Sequence, residues 1–411
     1  VKRVVVTGLG IVSPLGNDVA TFFRSLIDAT PGIRRLDVPW QISTGDIWAG
    51  TVDLDLDLHF AKIKRVGLDR STMFALVAAR QAMAQSRLAL QDAGAEAAGV
   101  YWGTGMGGAL ALEATYQDLF VKRAPRLKPT TIVSVMTNAA TGQIGIEFGV
   151  HGPSATYSSA CSSSAVAIGE AYRAIRFGLI ESAIAGGSEA LLTEGVVKAW
   201  DSLGTLARID PGRPETSCRP FAADRSGFLL GEGAAALVLE EESCARARGA
   251  TILAEVVGYG NSTDARHITQ PDAAGQARAM RQALAESGLA LERIGHINAH
   301  GTGTKVGDVI ESRAIAEVFG AHAGAMPVSA TKALHGHLMG ATGAVEFIAA
   351  IEAMRQGTAP PTAHLRTPDP ECPLDYAALE PRRIGPGSAV MSNSFGFGGN
   401  NAVLIARPAD V

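Results

Sequence analysis

Cys161 is the residue best prepared for chemistry. It lies in Gly152-Pro153-Ser154-Ala155-Thr156-Tyr157-Ser158-Ser159-Ala160-Cys161-Ser162-Ser163-Ser164-Ala165, among side chains small enough for a backbone or ligand to approach. The segment reads as a strand giving way to a helix, and a helix N-terminus favours thiolate over thiol. A free thiol is more often a small buried core residue, so both readings stand on the local sequence. Two histidines in the other half suit a thiol's partners: His300 in Asn298-Ala299-His300-Gly301-Thr302-Gly303-Thr304, and His337 in Thr331-Lys332-Ala333-Leu334-His335-Gly336-His337. Each follows a predicted strand. Either could be structural, and the His335/His337 pair could suggest a metal, but a soft divalent ion shared with Cys161 would silence the thiolate. Nucleophilic chemistry beside the histidines is the better fit.

Two glycine-rich segments need a reading. Gly103-Thr104-Gly105-Met106-Gly107-Gly108 matches GxGxxG after a strand. The dinucleotide pattern requires an acidic residue about 20 positions on, at the end of a second strand. Glu113 and Asp118 instead fall in a helix-like stretch, so a close-packed turn is expected. Asn393-Ser394-Phe395-Gly396-Phe397-Gly398-Gly399-Asn400-Asn401 is either a plain hairpin turn or a mobile loop whose N–H groups point into a cleft.

The elements that must position these residues alternate. Strands are expected at Val4–Thr7, 99–102, 182–185, 235–239, 252–258, 296–299, 328–330 and 402–405, with helices at 71–84, 165–177, 276–287 and 344–354. That alternation is an α/β pattern. A divergent internal repeat accompanies it. Ser154-Ala155-Thr156 leads through Cys161 into a helix, and Ser329-Ala330-Thr331 leads through His337 into another. Two similar halves, 1–250 and 251–411, are expected to pack as one unit with the site at their junction.

Composition sets the limits. At 47% hydrophobic and 18% charged, 411 residues can bury a large core. A net charge of −4 argues against a nucleic-acid-coating protein. No apolar run reaches the roughly 18 residues of a membrane span. The opening Val1-Lys2-Arg3-Val4-Val5-Val6 reads as a first strand rather than a leader, because Gly8, Gly10 and Pro14 interrupt it. Four cysteines without CxxC spacing suggest neither a disulfide framework nor a zinc site, and the chain is expected in the cytoplasm.

Taken in order, TYSSACSSSAVAIGEA, NAHGTGTKVGD, TKALHGHLMGATGAVE and NSFGFGGNN resemble the β-ketoacyl-acyl-carrier-protein synthases, the condensing enzymes of fatty-acid and polyketide synthesis. The resemblance covers essentially the whole chain and is nearest the elongating, Cys-His-His type, similar to bacterial synthase II. It implies a duplicated, five-layered α-β-α-β-α thiolase-like fold, a homodimer, an acyl-carrier-protein partner and no cofactor. It implies that Cys161 carries the acyl chain, that His300 and His337 stabilise an enolate, and that Lys332 organises the charge around them. Thr302 and Thr304 would hold the phosphopantetheine arm. Phe397 would gate the site and share an oxyanion hole with the Cys161 N–H; Phe395 and Met106 would contact substrate. Lys62, Lys64 and Arg65 would dock the acidic carrier, and Asn298, Glu346 and Asn393 would hold a structural monovalent cation. The expected reaction is elongating condensation in fatty-acid synthesis; a specialised polyketide, polyene or lipid pathway is the alternative. A non-catalytic partner subunit would lack Cys161, and a thiolase would carry a late cysteine in place of His337.

Overall fold

A computed structural model describes residues 1–43 and 45–409. The first half runs β1 (Val4–Val12), α1 (Arg70–Ser86), β2 (Ala98–Gly103), β3 (Ser154–Tyr157), α2 (Ser163–Arg176), β4 (Ser182–Glu189) and β5 (Gly233–Glu241). The second repeats this as β6 (Ala254–Thr263), α3 (Ala273–Ser287), β7 (Ile294–Asn298), β8 (Val328–Ser329), α5 (Thr342–Gln356), β9 (Ala389–Gly396) and β10 (Asn400–Arg407). A further helix, α4 (Lys305–Phe319), lies between β7 and β8.

Sheet order makes the duplication explicit. Among the described residues ten strands run β8-β7-β9-β10-β6-β1-β5-β4-β2-β3, the same sequence of elements inward from either edge. Pairing repeats as well: β2 is parallel to β3 and β4, just as β7 is parallel to β8 and β9. The half-sheets join where Val4–Val6 of β1 pairs antiparallel with Ala254–Val256 of β6.

Helices α2 and α5 pack against each other between the half-sheets, α1 covers the outer face of the first, and α3 and α4 cover the second. The result is the five-layered α-β-α-β-α, thiolase-like arrangement. The central layer is the driest. In α5 every residue from Thr342 to Met354 is buried, including Glu346 and Glu352, as expected of a helix walled in on all sides.

β1 extends past the predicted Thr7 because its glycines serve packing rather than termination. A Cβ at Gly8 would lie 2.0 Å from the Ala82 carbonyl oxygen, and one at Gly10 2.0 Å from that of Ala78, so only glycine lets α1 seat on the strand. The second half repeats the device, with Gly258 and Gly260 of β6 at 2.3 Å and 1.9 Å from the carbonyl oxygens of Ala283 and Ala279 on α3.

Candidate active site

The two repeated turns, β3-to-α2 and β8-to-α5, deliver the chemistry. Cys161 lies on a 3-10 turn, Ala160–Ser162, that runs directly into α2. Ala160 takes a left-handed φ of 53°, uncommon for a side-chain-bearing residue. Ser163 Oγ holds the turn, accepting from the Ser159 N–H at 3.0 Å and donating to the Ala160 carbonyl at 2.6 Å. The backbone N–H groups of Phe397 and Cys161 lie near enough to the sulfur to favour its charged form.

His300 follows β7. Its own N–H and that of Gly301 donate to Glu311 of α4, each at 2.8 Å, and Asn393 Nδ2 donates to the same carboxylate at 3.2 Å. The fully buried Lys332 ammonium lies 3.4 Å from His300 Nδ1, donates to the His300 carbonyl, and pairs with Glu346 at 2.7 Å. An ammonium only donates, so His300 Nδ1 accepts and its proton sits on Nε2.

His337 reaches the same tautomer by another route. The Met339 N–H donates to His337 Nδ1 at 3.2 Å and Thr342 Oγ1 lies 3.0 Å from that nitrogen, which leaves Nε2 protonated, buried and without a partner. The ring centroids of His300 and His337 are 5.4 Å apart at 78°. Cys161, His300 and His337 present their side-chain atoms within 4.8 Å of one another. Such a set could ligate a metal, but an ion would occupy the thiol and the Nε2 positions that chemistry needs.

The electrostatics depart from the sequence expectation at one point. Burial pushes the Cys161 thiol up to about 11, against the pull of Lys332 and the Phe397 N–H, so the helix N-terminus does not leave a resting thiolate. Burial also drives both imidazoles well below their ordinary range, with Lys332 adding to it, so His300 and His337 are neutral. The thiol thus faces two neutral Nε2–H donors rather than a free imidazole lone pair, and its proton leaves only as the sulfur attacks.

These groups open on a cavity of about 1030 Å³ lined also by Thr302, Thr304, Phe395 and Phe397. Thr302 and Thr304 hydroxyls lie 2.9 Å apart, and Thr304 caps α4 by accepting from the Gly307 N–H. Phe397 stands 5.8 Å, ring to ring, from Trp200, which meets Phe228 at 5.6 Å, and Phe228 meets His337 at 5.2 Å. Met106 does not line this cavity; its side chain is half exposed, and its backbone faces Glu189 instead. Lys62, Lys64 and Arg65 form a one-turn surface helix away from the lining, with Arg65 paired to Asp57. His335 bonds Thr331 and Gly336 rather than facing the site.

Asn298 Oδ1, Asn393 Oδ1 and Glu346 Oε2 are buried and unpartnered, as are the hydroxyls of Ser392 and Ser394. Orphaned oxygens of this kind fit a hard cation.

Several supporting residues escaped sequence reasoning: Glu311, Thr342, Trp200, Phe228 and Glu189. Burial pushes the Glu189 carboxyl up to about 7 against four hydrogen bonds. None has a local pattern; each acts on a residue distant in the chain, except Thr342, five positions after His337.

Residues 1–245 match the family described as "Beta-ketoacyl synthase, N-terminal domain", and 253–366 match its C-terminal domain. The chain belongs to the β-ketoacyl synthase family. It is 39% identical to 3-oxoacyl-[acyl-carrier-protein] synthase 2 of Staphylococcus aureus (strain N315) over 413 aligned residues, 99% of this chain and 98% of that one. It is 40% identical to nodulation protein E of Rhizobium leguminosarum bv. trifolii, covering 99% of each. A solved β-ketoacyl synthase from Burkholderia phymatum STM815 superposes over 100% of both chains with a TM-score of 0.92 at 36% identity.

Proposed function

We propose that this β-ketoacyl synthase catalyses the decarboxylative Claisen condensation of an acyl thioester with malonyl-acyl-carrier-protein, giving 3-oxoacyl-carrier-protein in fatty-acid chain elongation. The observation that carries the reading is the convergence of the Cys161 thiol with two neutral imidazoles whose Nε2–H groups open on one cavity. In the first half-reaction Cys161 Sγ attacks the acyl thioester carbonyl, and because both facing Nε2 atoms already carry hydrogen the thiol proton goes to the departing carrier sulfur. The N–H groups of Cys161 and Phe397 receive the oxyanion, and the carrier thiol leaves with the proton. In the second, the Nε2–H groups of His300 and His337 donate to the malonyl thioester oxygen. Carbon dioxide departs, and the enolate carbon attacks the acyl-Cys161 carbonyl. The carbon–sulfur bond breaks and the cysteine sulfur recovers a proton. Each oxyanion donor of this type is worth about 3–4 kcal/mol. Lys332, paired with Glu346, orients His300. The thioesters supply the activation, so no cofactor enters the scheme. Asn298, Glu346 and Asn393 would hold a monovalent cation that stiffens the histidine loops.

The carrier is acidic in this reading, and Lys62, Lys64 and Arg65 offer it a basic surface. Thr130 Oγ1 donates to the Val66 carbonyl at 2.9 Å, tying the end of this helix to the 126–130 segment. Thr302 and Thr304 suit the amides of a phosphopantetheine arm. We infer a homodimer because β3 ends the sheet with an open edge, and Phe120, Val121, Ile132, Val133 and Ile146 are exposed in the preceding segment. We read residues 1–250 and 251–411 as the two halves of the unit and place the reaction in the cytoplasm, where its free cysteines stay reduced. No described helix is long and apolar enough to cross a membrane. The similarity to nodulation protein E supports a second reading, the same condensation in a specialised lipid pathway.

Mass spectrometry tests the proposal. Acyl-carrier-proteins of graded chain length should add their acyl mass to the Cys161 peptide, and malonyl-carrier-protein should then remove it as a chain two carbons longer. A Cys161 peptide that never gains acyl mass would overturn it.

A further inference from the structure

The Gly103–Gly108 loop has the form of an anion-binding turn, and in this fold its N–H groups do face an anion. That anion belongs to the chain itself. Glu189, the last residue of β4, is wholly buried. Its carboxylate accepts from the Gly105 N–H at 2.6 Å, the Met106 N–H at 3.2 Å, the Thr104 hydroxyl at 3.1 Å and the Gly340 N–H at 3.0 Å. Three of these donors come from the first half of the chain. The fourth, Gly340, comes from the second, adjacent to the Met339 whose N–H sets the tautomer of His337.

Side chains are excluded around this contact. A Cβ at Gly105 would lie 2.7 Å from Glu189 Oε2; one at Gly340 would lie 2.6 Å from that oxygen and 2.3 Å from the Gly105 nitrogen. The neighbouring strand ends close in the same way, since a Cβ at Gly187 would reach 2.7 Å from the Gly103 carbonyl oxygen. Backbone therefore rests on backbone where the two halves meet, with one carboxylate closing the joint. All four donors are neutral, so the carboxylate is held by geometry rather than by a counter-charge.

We propose that Glu189 is a positioning residue: by clamping the Gly340 N–H to the Thr104–Met106 turn, it fixes the Met339–Gly340 backbone and thereby the orientation of the His337 Nε2–H toward the malonyl thioester. This rests on the role given above to His337. A displacement of about 1 Å at a catalytic donor costs up to about 100-fold in rate, and removing the clamp frees such a displacement.

The test is decarboxylation of malonyl-carrier-protein by the full-length protein, with kcat and KM measured separately. Glu189→Gln presents an amide N–H₂ to the four donors; it should lower kcat about 10- to 100-fold while KM changes less than about twofold. Thr104→Val removes one donor at nearly constant volume and should lower kcat in the same direction by less than Glu189→Gln. A purely structural Glu189 would lower thermal stability and leave kcat of the folded fraction unchanged, and that result overturns the proposal. Should Glu189→Gln fail to fold, Thr104→Val decides: an unchanged kcat overturns it, a selective fall in kcat supports it. His337→Ala is run alongside. If His337→Ala is inactive and the other variants behave as wild type, only the positioning role falls; if His337→Ala stays active, the role of His337 falls with it.

Discussion

At the residue scale the roles of Cys161 and the histidines separate by experiment. In the proposed reaction enolate formation uses the two Nε2–H donors and not the sulfur. Cys161→Ala should therefore abolish acyl transfer and condensation yet continue to release carbon dioxide from malonyl-carrier-protein. His300→Ala and His337→Ala should each lose that release by about 100-fold or more. The Cys161 swap removes little volume, so its fold should persist, with circular dichroism and CO₂ evolution as the readouts. Three variants behaving alike would show that the division is wrong. Cys161 and both histidines stood out by their small, glycine-rich surroundings, and the structure brings the three together. Their second layer did not stand out. Glu311 and Glu189 lie 11 and 28 positions from the catalytic residues they neighbour in sequence, His300 and Cys161, with nothing local to mark them. The protonation state was misread as well: a helix N-terminus is visible in sequence, whereas the complete desolvation that outweighs it is not.

At the scale of an element, the loop between β9 and β10 is a turn that also brings Phe397 to the cavity. It is a hairpin, with Gly396 paired to Asn400. It also places Phe397 and its N–H at the thiol. Gly398 and Gly399 have φ of 84° and 72°, which L side chains rarely adopt, and Asn400 Nδ2 donates to the Phe397 carbonyl at 3.2 Å. A Cβ at Gly399 would lie 2.6 Å from that of Asp264. Gly399→Val thus meets both strain and a clash, and the loop must shift away from the thiol. Acylation of Cys161, followed by stopped-flow with an acyl-carrier substrate, should slow more than the thermal midpoint falls. An unchanged acylation rate would argue that Phe397 is fixed packing rather than a gate that admits malonyl substrate after acylation.

For the whole molecule, buried titratable groups set the pH dependence of stability. Burial holds His296 and His335 down at about 3 and His364 at about 4, and it lowers His300 and His337 as well. With folded values below the unfolded value of about 6.5, the unfolded chain binds more protons. The stabilisation is complete above that pH and declines by about 1.4 kcal/mol per histidine for each unit of acidification below it. Glu189 and Asp308, pushed up to about 7, act in the opposite sense: their stabilisation is complete below the ordinary carboxylate range and is lost as pH rises toward 7. Between about pH 4.5 and 6.5 the two carboxyls offset only part of what the five histidines lose on acidification. Below about 4.5 only the histidines continue to change, joined by carboxylates such as Glu255 and Asp369 that ion pairs hold down. The thermal midpoint should begin to fall as pH drops below about 6.5 and fall more steeply below about 4.5. A melting series with a flat profile down to pH 3.5 would contradict the burial of these imidazoles.

What the sequence determined by itself was the inventory and its order. Strand and helix periods follow from local side-chain pattern, and the two turns that carry Cys161 and His337 repeat because the halves repeat. Residue type and setting marked Cys161 and the two histidines as candidates and left a buried core thiol as the other reading. The tertiary structure decided everything that depends on two distant segments meeting. It carried β1 through Gly8 and Gly10, because the glycines accommodate α1 rather than end the strand. It turned the GTGMGG loop toward Glu189, joined the half-sheets through β1 and β6, and left Met106 outside the cavity. It also settled which way desolvation moves each proton, since burial is a property of the packed chain and of no residue in isolation.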